Sequence, residues 1–385
     1  MKQIKDYIKR ENSVVTGQSN LEHLYTFKDF PVFMGCSNET NSENDLTADM
    51  VWKIDPNSGI VQLSKLIPME ILYMDQHMDA TGATWDRYNK ALADFVIENH
   101  EGNILEIGGG SGKLANLIIL KSENLKYTVV EPNPTFLESD RINIKRKFFT
   151  DEFKINDDTI KTITLSQVLE HVYDPRSFLK NLYNKLPEKG LFIFGYPNLE
   201  HLFSNKFTNA INFEHTILMT EIYVDYFLSE AGFEIIKKIP YENHSHFYSV
   251  RKNSSVKKNN IKLDSEKLYR KYKLMFNQFI DYHLKMVKEI NDFVDKYNSS
   301  VFLFGAHIFS QYLISFGLKT EKIKFILDNS PIKIEKRLYG TNLLVKSPKI
   351  LKEYSKPLVI LKAGLYNKEI KDDIINNINS NVKFI

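Results

Sequence analysis

The chain of 385 residues holds a single cysteine, Cys36. One thiol excludes an internal disulfide, and such scarcity fits a reducing compartment. No apolar run approaches the roughly 18 residues needed to span a bilayer, so no membrane segment is expected. The opening stretch MKQIKDYIKREN lacks the apolar centre of a secretory leader, and a cytoplasmic location is the expectation. Charge of one sign is also missing. Lys and Arg number 51 and Asp and Glu 48, a net charge of +3, which gives no reason to expect a nucleic-acid partner. Apolar residues, by contrast, make up 43% of the chain. That supports a sizeable core without staples, and the length suits two or three domains of about 100–200 residues each.

Four regions follow from the pattern along the chain. Residues 1–78 read as a small irregular domain, with short apolar runs broken by GQSN, CSNETNSEN and DPNSGI. Residues 79–252 open on TWDRYNKALADFVIENH, whose Trp85, Tyr88, Leu92 and Phe95 fall on one helical face. Short apolar runs then recur at the spacing of strands separated by helices: NILEIG, YTVVEP, TITLSQ and LFIFGYP. That alternation predicts an α/β unit with a parallel sheet. A helix ending at Gly232 and the strand EIIKKIPY close it. Residues 253–298 are a polar linker and a long amphipathic helix, roughly 263–297. Residues 299–385 repeat the α/β pattern in VFLFGAHIFSQYLISFGL, IKFILDNSP, PLVILKAG and VKFI.

The chemistry-bearing segment is Glu106-Ile-Gly108-Gly-Gly110-Ser-Gly112, which follows a strand and opens a helix. Glycines there let the backbone turn tightly and let a ligand approach it. Nicotinamide, flavin and S-adenosylmethionine sites all use such a turn. Glu131 ends the next strand, where a carboxylate can accept hydrogen bonds from ribose hydroxyls. The acid before the glycines, Glu106, and the later segment LSQVLEHVYDP (165–175) resemble those of class I S-adenosylmethionine methyltransferases. The resemblance implies a Rossmann-like cofactor domain in which Glu106, Gly108, Gly110, Gly112, Glu131 and Gln167 hold S-adenosylmethionine. It places Glu170 and His171 near the cofactor rather than the methyl acceptor.

Further segments narrow the likeness. INFEHTILMT (211–220) resembles the YHEHLSYFS-like stretch of sugar C-methyltransferases, three-domain enzymes acting on nucleotide-linked deoxysugars. GAHIFSQYLISFGL, LDNSPIKIEKRLYGTNLLVKSPKIL and LKAGLYNKEI resemble that family's C-terminal, second Rossmann-like unit, in order. The resemblance implies a nucleotide-sugar substrate from surface-polysaccharide or related glycan biosynthesis. His215 is then the general base, with Glu214 orienting it, and an imidazole suits proton abstraction near neutral pH. His77 and His244 are further catalytic candidates. Tyr196 and Asn198 would line the acceptor cleft. Gly305, His307 and Asp328 would meet the nucleotide.

The chain departs from the family in two places. The family's zinc domain rests on Cys-x-x-Cys pairs. Here Asp55 and Ser58 of IDPNSGIVQL stand where the second pair would be, and no cysteine lies around TGQSNLE, where the first would fall. A zinc-free remnant is expected, with packing in place of the metal. The stretch YMDQHMDATGATWDRY differs from the family's tyrosine-bearing segment and puts His77 near that tyrosine's place, with Tyr73 a poorer match. No metal is assigned, although His77, Glu214, His215 and His244 could in principle meet around one. Carbon and oxygen methylation both stay open. So do a decayed binding or scaffold protein and, because of the second glycine turn, a nicotinamide oxidoreductase. The oligomeric state is not legible.

Overall fold

The computed structural model describes residues 1–73, 82–255 and 261–385. His77, and with it one catalytic candidate, lies outside the described residues.

The N-terminal region is more regular than its sequence suggests. Strands β1 (Glu22–Pro31) and β2 (Leu46–Ile54) pair antiparallel, and β3 (Val61–Leu63) adds to β2. The register of β1 shifts between His23 and Tyr25 and again between Phe27 and Phe30. Each bulge breaks the two-residue alternation by which a strand is recognised.

The central region opens with α1 (Ala83–Asn99), whose Tyr88, Leu92 and Phe95 are buried as the helical spacing required. Then follow β4 (Asn103–Ile107), α2 (Lys113–Lys121), β5 (Tyr127–Val130), β6 (Ile142–Lys145), β7 (Ile160–Ser166), α3 (Pro175–Lys185), β8 (Leu191–Pro197), α4 (Glu221–Ala231), β9 (Phe233–Tyr241) and β10 (Ser245–Lys252). The sheet order is β6-β5-β4-β7-β8-β10-β9. The first five strands are parallel, and β10 runs antiparallel between β8 and β9. Every residue of β8, LFIFGYP, is buried, as expected of a strand covered on both faces. Strand order reverses about β4 and β7, so their carboxyl ends open a crevice, the usual place for a ligand in such sheets.

Helix α5 (Ser265–Asp295) is capped by Asp264, which accepts from the Lys267 amide at 3.2 Å. Its buried stripe runs from Leu268 through Tyr272, Phe276 and Phe279 to Val294. The last region holds β11 (Val301–Phe304), α6 (Ile308–Ser315), β12 (Ile323–Leu327), β13 (Val345–Lys346), β14 (Leu358–Leu361) and β15 (Lys383–Phe384). They form an all-parallel sheet in the order β13-β12-β11-β14-β15. This is the second Rossmann-like unit.

One hydrophobic cluster runs through all three units. Phe27 of β1 packs edge-on to Tyr312 and Phe316, with ring centroids 5.2 Å apart in both pairs. The Tyr312 hydroxyl donates to the Ile211 carbonyl at 2.5 Å, so the same side chain also ties the C-terminal unit to the loop that carries Glu214 and His215. Arg337 forks onto the Asp45 carboxylate at 2.5 and 2.6 Å, a buried bidentate pair between the first and last units. Among the described residues no helix is long and apolar enough to cross a membrane.

Candidate active site

The first glycine turn leaves the carboxyl end of β4. Gly108 has φ 75° and a side chain there would meet Val168 at 2.6 Å, while one at Gly112, φ 72°, would meet Phe136 at 2.5 Å. Both positions therefore demand glycine, because Val168 and Phe136 pack directly against the backbone of the turn. Glu131, just past β5, reaches back to it. Its Oε2 accepts from the Gly110 amide at 3.2 Å and its Oε1 from the Asn133 amide at 2.9 Å. Glu106 lies buried at the end of β4. Burial pushes its carboxyl up to about 8, with the neighbouring Tyr127 hydroxyl pulling down and Glu131 pushing up. A carboxyl held that high ionises when a cation is brought beside it. A glycine turn at a strand's carboxyl end with a carboxylate bonded to its backbone fits S-adenosylmethionine, a sulfonium on a nucleoside. Gln167 sits beyond β7 with φ 53°. Its side-chain amide turns to the Tyr88 hydroxyl at 2.9 Å and to Ser245 at 3.2 Å.

A second group of side chains comes from three separate loops. The Glu214 and His215 amides both donate to Asn212 Oδ1, at 2.7 and 2.8 Å, so Asn212 shapes the turn that presents them. His171, after β7, stands opposite. Its Nδ1 is 3.3 Å from Glu214 Oε2 and 3.3 Å from the Tyr73 hydroxyl. The His171 and His215 rings meet edge to face with centroids 4.9 Å apart. Ligand atoms of Glu170, His171 and His215 all lie within 4.8 Å of one another, close enough to share a cation.

Their environments push the two imidazoles apart in basicity. Burial lowers His171, but the hydrogen bond to Glu214 and the charges of Glu170 and Glu214 outweigh it, and the net shift is upward. Burial and then the charge of His171 push His215 down to about 3, with Glu214 opposing. His215 is therefore neutral near pH 7, and its Nδ1 is buried with no hydrogen-bond partner. Burial also raises the Glu170 carboxyl to about 7, against the pull of His171, and drives the Tyr73 hydroxyl far above its usual range. Two like groups with separated basicities are the mark of an acid and a base sharing one site.

The remaining candidates distribute unevenly. His171 was expected near the cofactor rather than the acceptor; it contacts Glu214 and meets the His215 ring edge to face. Tyr73, the poorer match by spacing, is the tyrosine whose hydroxyl reaches the cluster. Tyr196 was expected to line the cleft, but it is a β8 residue only 1% exposed whose hydroxyl donates to the Met219 carbonyl at 2.6 Å. It supports the 211–220 loop from below. Asn198 caps a short helix, accepting from the His201 amide at 3.1 Å. His244 is bonded to Ser245 Oγ at 2.7 Å and packs on Trp85 and Tyr88, with centroids 4.9 and 5.2 Å away. With His244 so engaged, the described residues do not gather Glu214, His215 and His244 around one point. In the second glycine turn, Asp328 accepts from the Ala306 amide at 2.9 Å, the Ser330 amide at 2.9 Å and Lys333 Nζ at 3.1 Å. Gly305 and His307 flank Ala306. Sequence reasoning missed Asn212; the only signal it gave was its place two residues before Glu214.

The zinc expected of the family does not fit the residues present. Asp55 Oδ2 accepts from the Thr16 hydroxyl at 2.8 Å and the Ser58 hydroxyl at 2.7 Å. Hydroxyls and one carboxylate already bonded to each other offer no thiolate set for a structural site. Cys36 is elsewhere, its Sγ 3.7 Å from the Ala306 carbonyl.

Residues 77–238 match the family described as Methyltransferase domain. With the glycine turn and sheet order, this defines an S-adenosylmethionine-dependent methyltransferase with a Rossmann-like fold. Residues 241–385 match the family described as C-methyltransferase C-terminal domain, so the chain carries the second unit of that kind as well. Among solved structures, the chain is similar to a putative S-adenosylmethionine-dependent methyltransferase from Listeria monocytogenes (14% identity, 44% of this chain and 100% of that one, TM-score 0.37). It is also similar to the CurJ carbon methyltransferase (12% identity, 43% of this chain and 54% of that one, TM-score 0.35). A third likeness is to human N-acetylserotonin methyltransferase in complex with S-adenosylmethionine (17% identity, 44% of this chain and 52% of that one, TM-score 0.37). No curated protein matches the chain.

Proposed function

We propose that the enzyme methylates a nucleotide-activated sugar at a carbon beside a ketone, with His215 as the base. The observation that carries this reading is the pair of imidazoles meeting at 4.9 Å, His171 made more basic by Glu214 and His215 made less basic by burial. A carbon acid needs both. His215 Nδ1 has a lone pair to take the proton. As the proton leaves, negative charge gathers on the ketone oxygen, and the His171 imidazolium, held by Glu214, supplies the opposing charge; the Tyr73 hydroxyl is the nearest further donor. Bound S-adenosylmethionine supplies an electrophilic methyl group, and Glu106, the glycine turn and Glu131 hold it. The C-methyltransferase type of the second unit also favours carbon. The contact between Trp85 Nε1 and the Tyr366 hydroxyl, 3.2 Å, sets that unit beside the crevice, where a nucleotide would extend.

A panel of GDP-, dTDP- and UDP-sugars, with and without a 4-keto group, tests the proposal. Product NMR places the methyl. The expected outcome is turnover of keto sugars only, with solvent deuterium entering the carbon beside the ketone. Methylation of the corresponding alcohols, with no exchange, would instead establish O-methylation at a sugar hydroxyl.

A further inference from the structure

Arg10 belongs to the N-terminal unit, yet its guanidinium is buried against both loops of the candidate site. Nη1 lies 3.2 Å from the Thr216 carbonyl, 3.3 Å from the Thr216 hydroxyl and 3.4 Å from the Leu63 carbonyl. Nη2 lies 2.5 Å from the Tyr173 carbonyl and 3.3 Å from the Thr216 hydroxyl. All five contacts go to neutral oxygens. Thr216 directly follows His215, and Tyr173 stands two residues after His171. The same face carries a short stretch of sheet: the Leu63 amide donates to the Thr216 carbonyl and the Leu218 amide to the Val61 carbonyl, each at 2.8 Å, and Gln62 bridges Ile217. Burying a guanidinium is costly unless its donors are used. Here a planar fork reaches two loops that approach from opposite sides, which a lysine's single ammonium cannot do.

We propose that Arg10 is a positioning residue: by tying the backbone after His171 to the backbone after His215, it sets the spacing of the two imidazoles. The N-terminal unit then serves catalysis through geometry. This rests on the reading of His215 as base, but the resonance readout of its test does not depend on that reading. Arg10 also lines a surface cavity of about 540 Å³, together with Lys9, Leu66 and Tyr173, which gives a small cation a way in.

Histidine-labelled protein is compared as wild type, Arg10→Ala and Arg10→Lys by NMR of the imidazole carbons at one pH, with His171→Asn and His215→Asn variants assigning the signals. Both Arg10 variants should move the His171 and His215 resonances while those of His100 and His283 stay in place. Calorimetric S-adenosylmethionine affinity should stay within about twofold. Turnover of a keto sugar accepted by the wild type should fall by about ten- to a hundredfold, the scale of an ångström-sized misplacement. Millimolar guanidinium chloride should restore part of both signals in Arg10→Ala and neither in Arg10→Lys. If Arg10→Ala does not fold, Arg10→Lys carries the test. Unmoved His171 and His215 resonances in a folded variant would overturn the proposal, as would a turnover loss matched by an equal loss of cofactor affinity. Loss of the base reading is seen separately, as wild-type turnover in His215→Ala.

Discussion

At the end of β4, glycines 108, 110 and 112 turn the chain into a helix, and Glu131 from the next strand reaches back to the Gly110 amide at 3.2 Å. At the end of β11, Gly305 makes the same kind of turn, and Asp328 from the next strand reaches back to the Ala306 amide at 2.9 Å. The two arrangements share one local plan and differ in what else the carboxylate holds. Glu131 has no ion-pair partner among the described residues. Asp328 is held by Lys333 at 3.1 Å, with side chains only 12% and 14% exposed, and the N-terminal unit lays Cys36 over the Ala306 carbonyl. A strand, a glycine and a following acid are thus enough to build the turn. What separates the two is the partner of the acid: Lys333 engages Asp328, and no such cation stands beside Glu131 among the described residues. We therefore propose that Glu131 takes the ribose of the cofactor and that Asp328 braces the second turn.

If chemistry is centred beside the first turn, the largest effect should come from its base. His215→Ala should lower turnover by roughly 10²–10⁴, the usual worth of a positioned acid–base group, with cofactor affinity nearly intact. Steady-state rates with calorimetry on the same preparation separate the two. Next in size is the pH response. His171 is raised, so it keeps its proton up to and beyond its ordinary value near 6.5 and loses it as pH climbs through the raised one. His215 stays neutral until pH approaches about 3. The rate should therefore fall on the alkaline side as His171 gives up its proton. His171→Asn should remove that alkaline limb and cost about tenfold in kcat, within the worth of one charge-assisted hydrogen bond. A pH–rate profile whose only limb is acidic, near 6.5, would reverse the assignment of the two imidazoles.

The comparison sharpens through stability as well. Asp328→Ala leaves Lys333 half-sequestered and three donors unmatched, so it should destabilise the chain by about 1–3 kcal/mol, read by thermal or urea unfolding. Asp55→Ala should cost about 1 kcal/mol by the same measurement, because it strands the Thr16 and Ser58 hydroxyls. Unfolding midpoints unchanged by a chelator would accord with hydrogen bonds standing where the family has zinc. A chelator-induced drop would reject that account.

How much of this was legible follows from how local each feature is. The glycine turn, Glu131 and helix α1 could be read directly, because φ at Gly108 and Gly112 and the burial of Tyr88 and Leu92 are settled within one turn or one helical face. The long helix was legible for the same reason. Strand β6, INIK, was missed because four residues between charged neighbours carry too little pattern. Strand β1 was hidden by two bulges and by Asp29 at φ 48°. The pairing of His171 with His215 could not be read at all. It exists because β7 lies at the sheet's centre while Arg10, Asn212 and β3 fix the later loop from outside. Tyr196 misled for the opposite reason: its place at a strand's carboxyl end looks like a cleft, yet its hydroxyl donates to the Met219 carbonyl.

The most direct measurement is a calorimetric titration of S-adenosylmethionine into wild-type, Glu131→Ala and Asp328→Ala protein. One site per chain is expected in the wild type. Glu131→Ala should weaken it by about 1–3 kcal/mol, the cost of ribose hydroxyls left without an acceptor, and Asp328→Ala should leave it unchanged. Unaltered affinity in Glu131→Ala, or an equal loss in Asp328→Ala, would contradict the account.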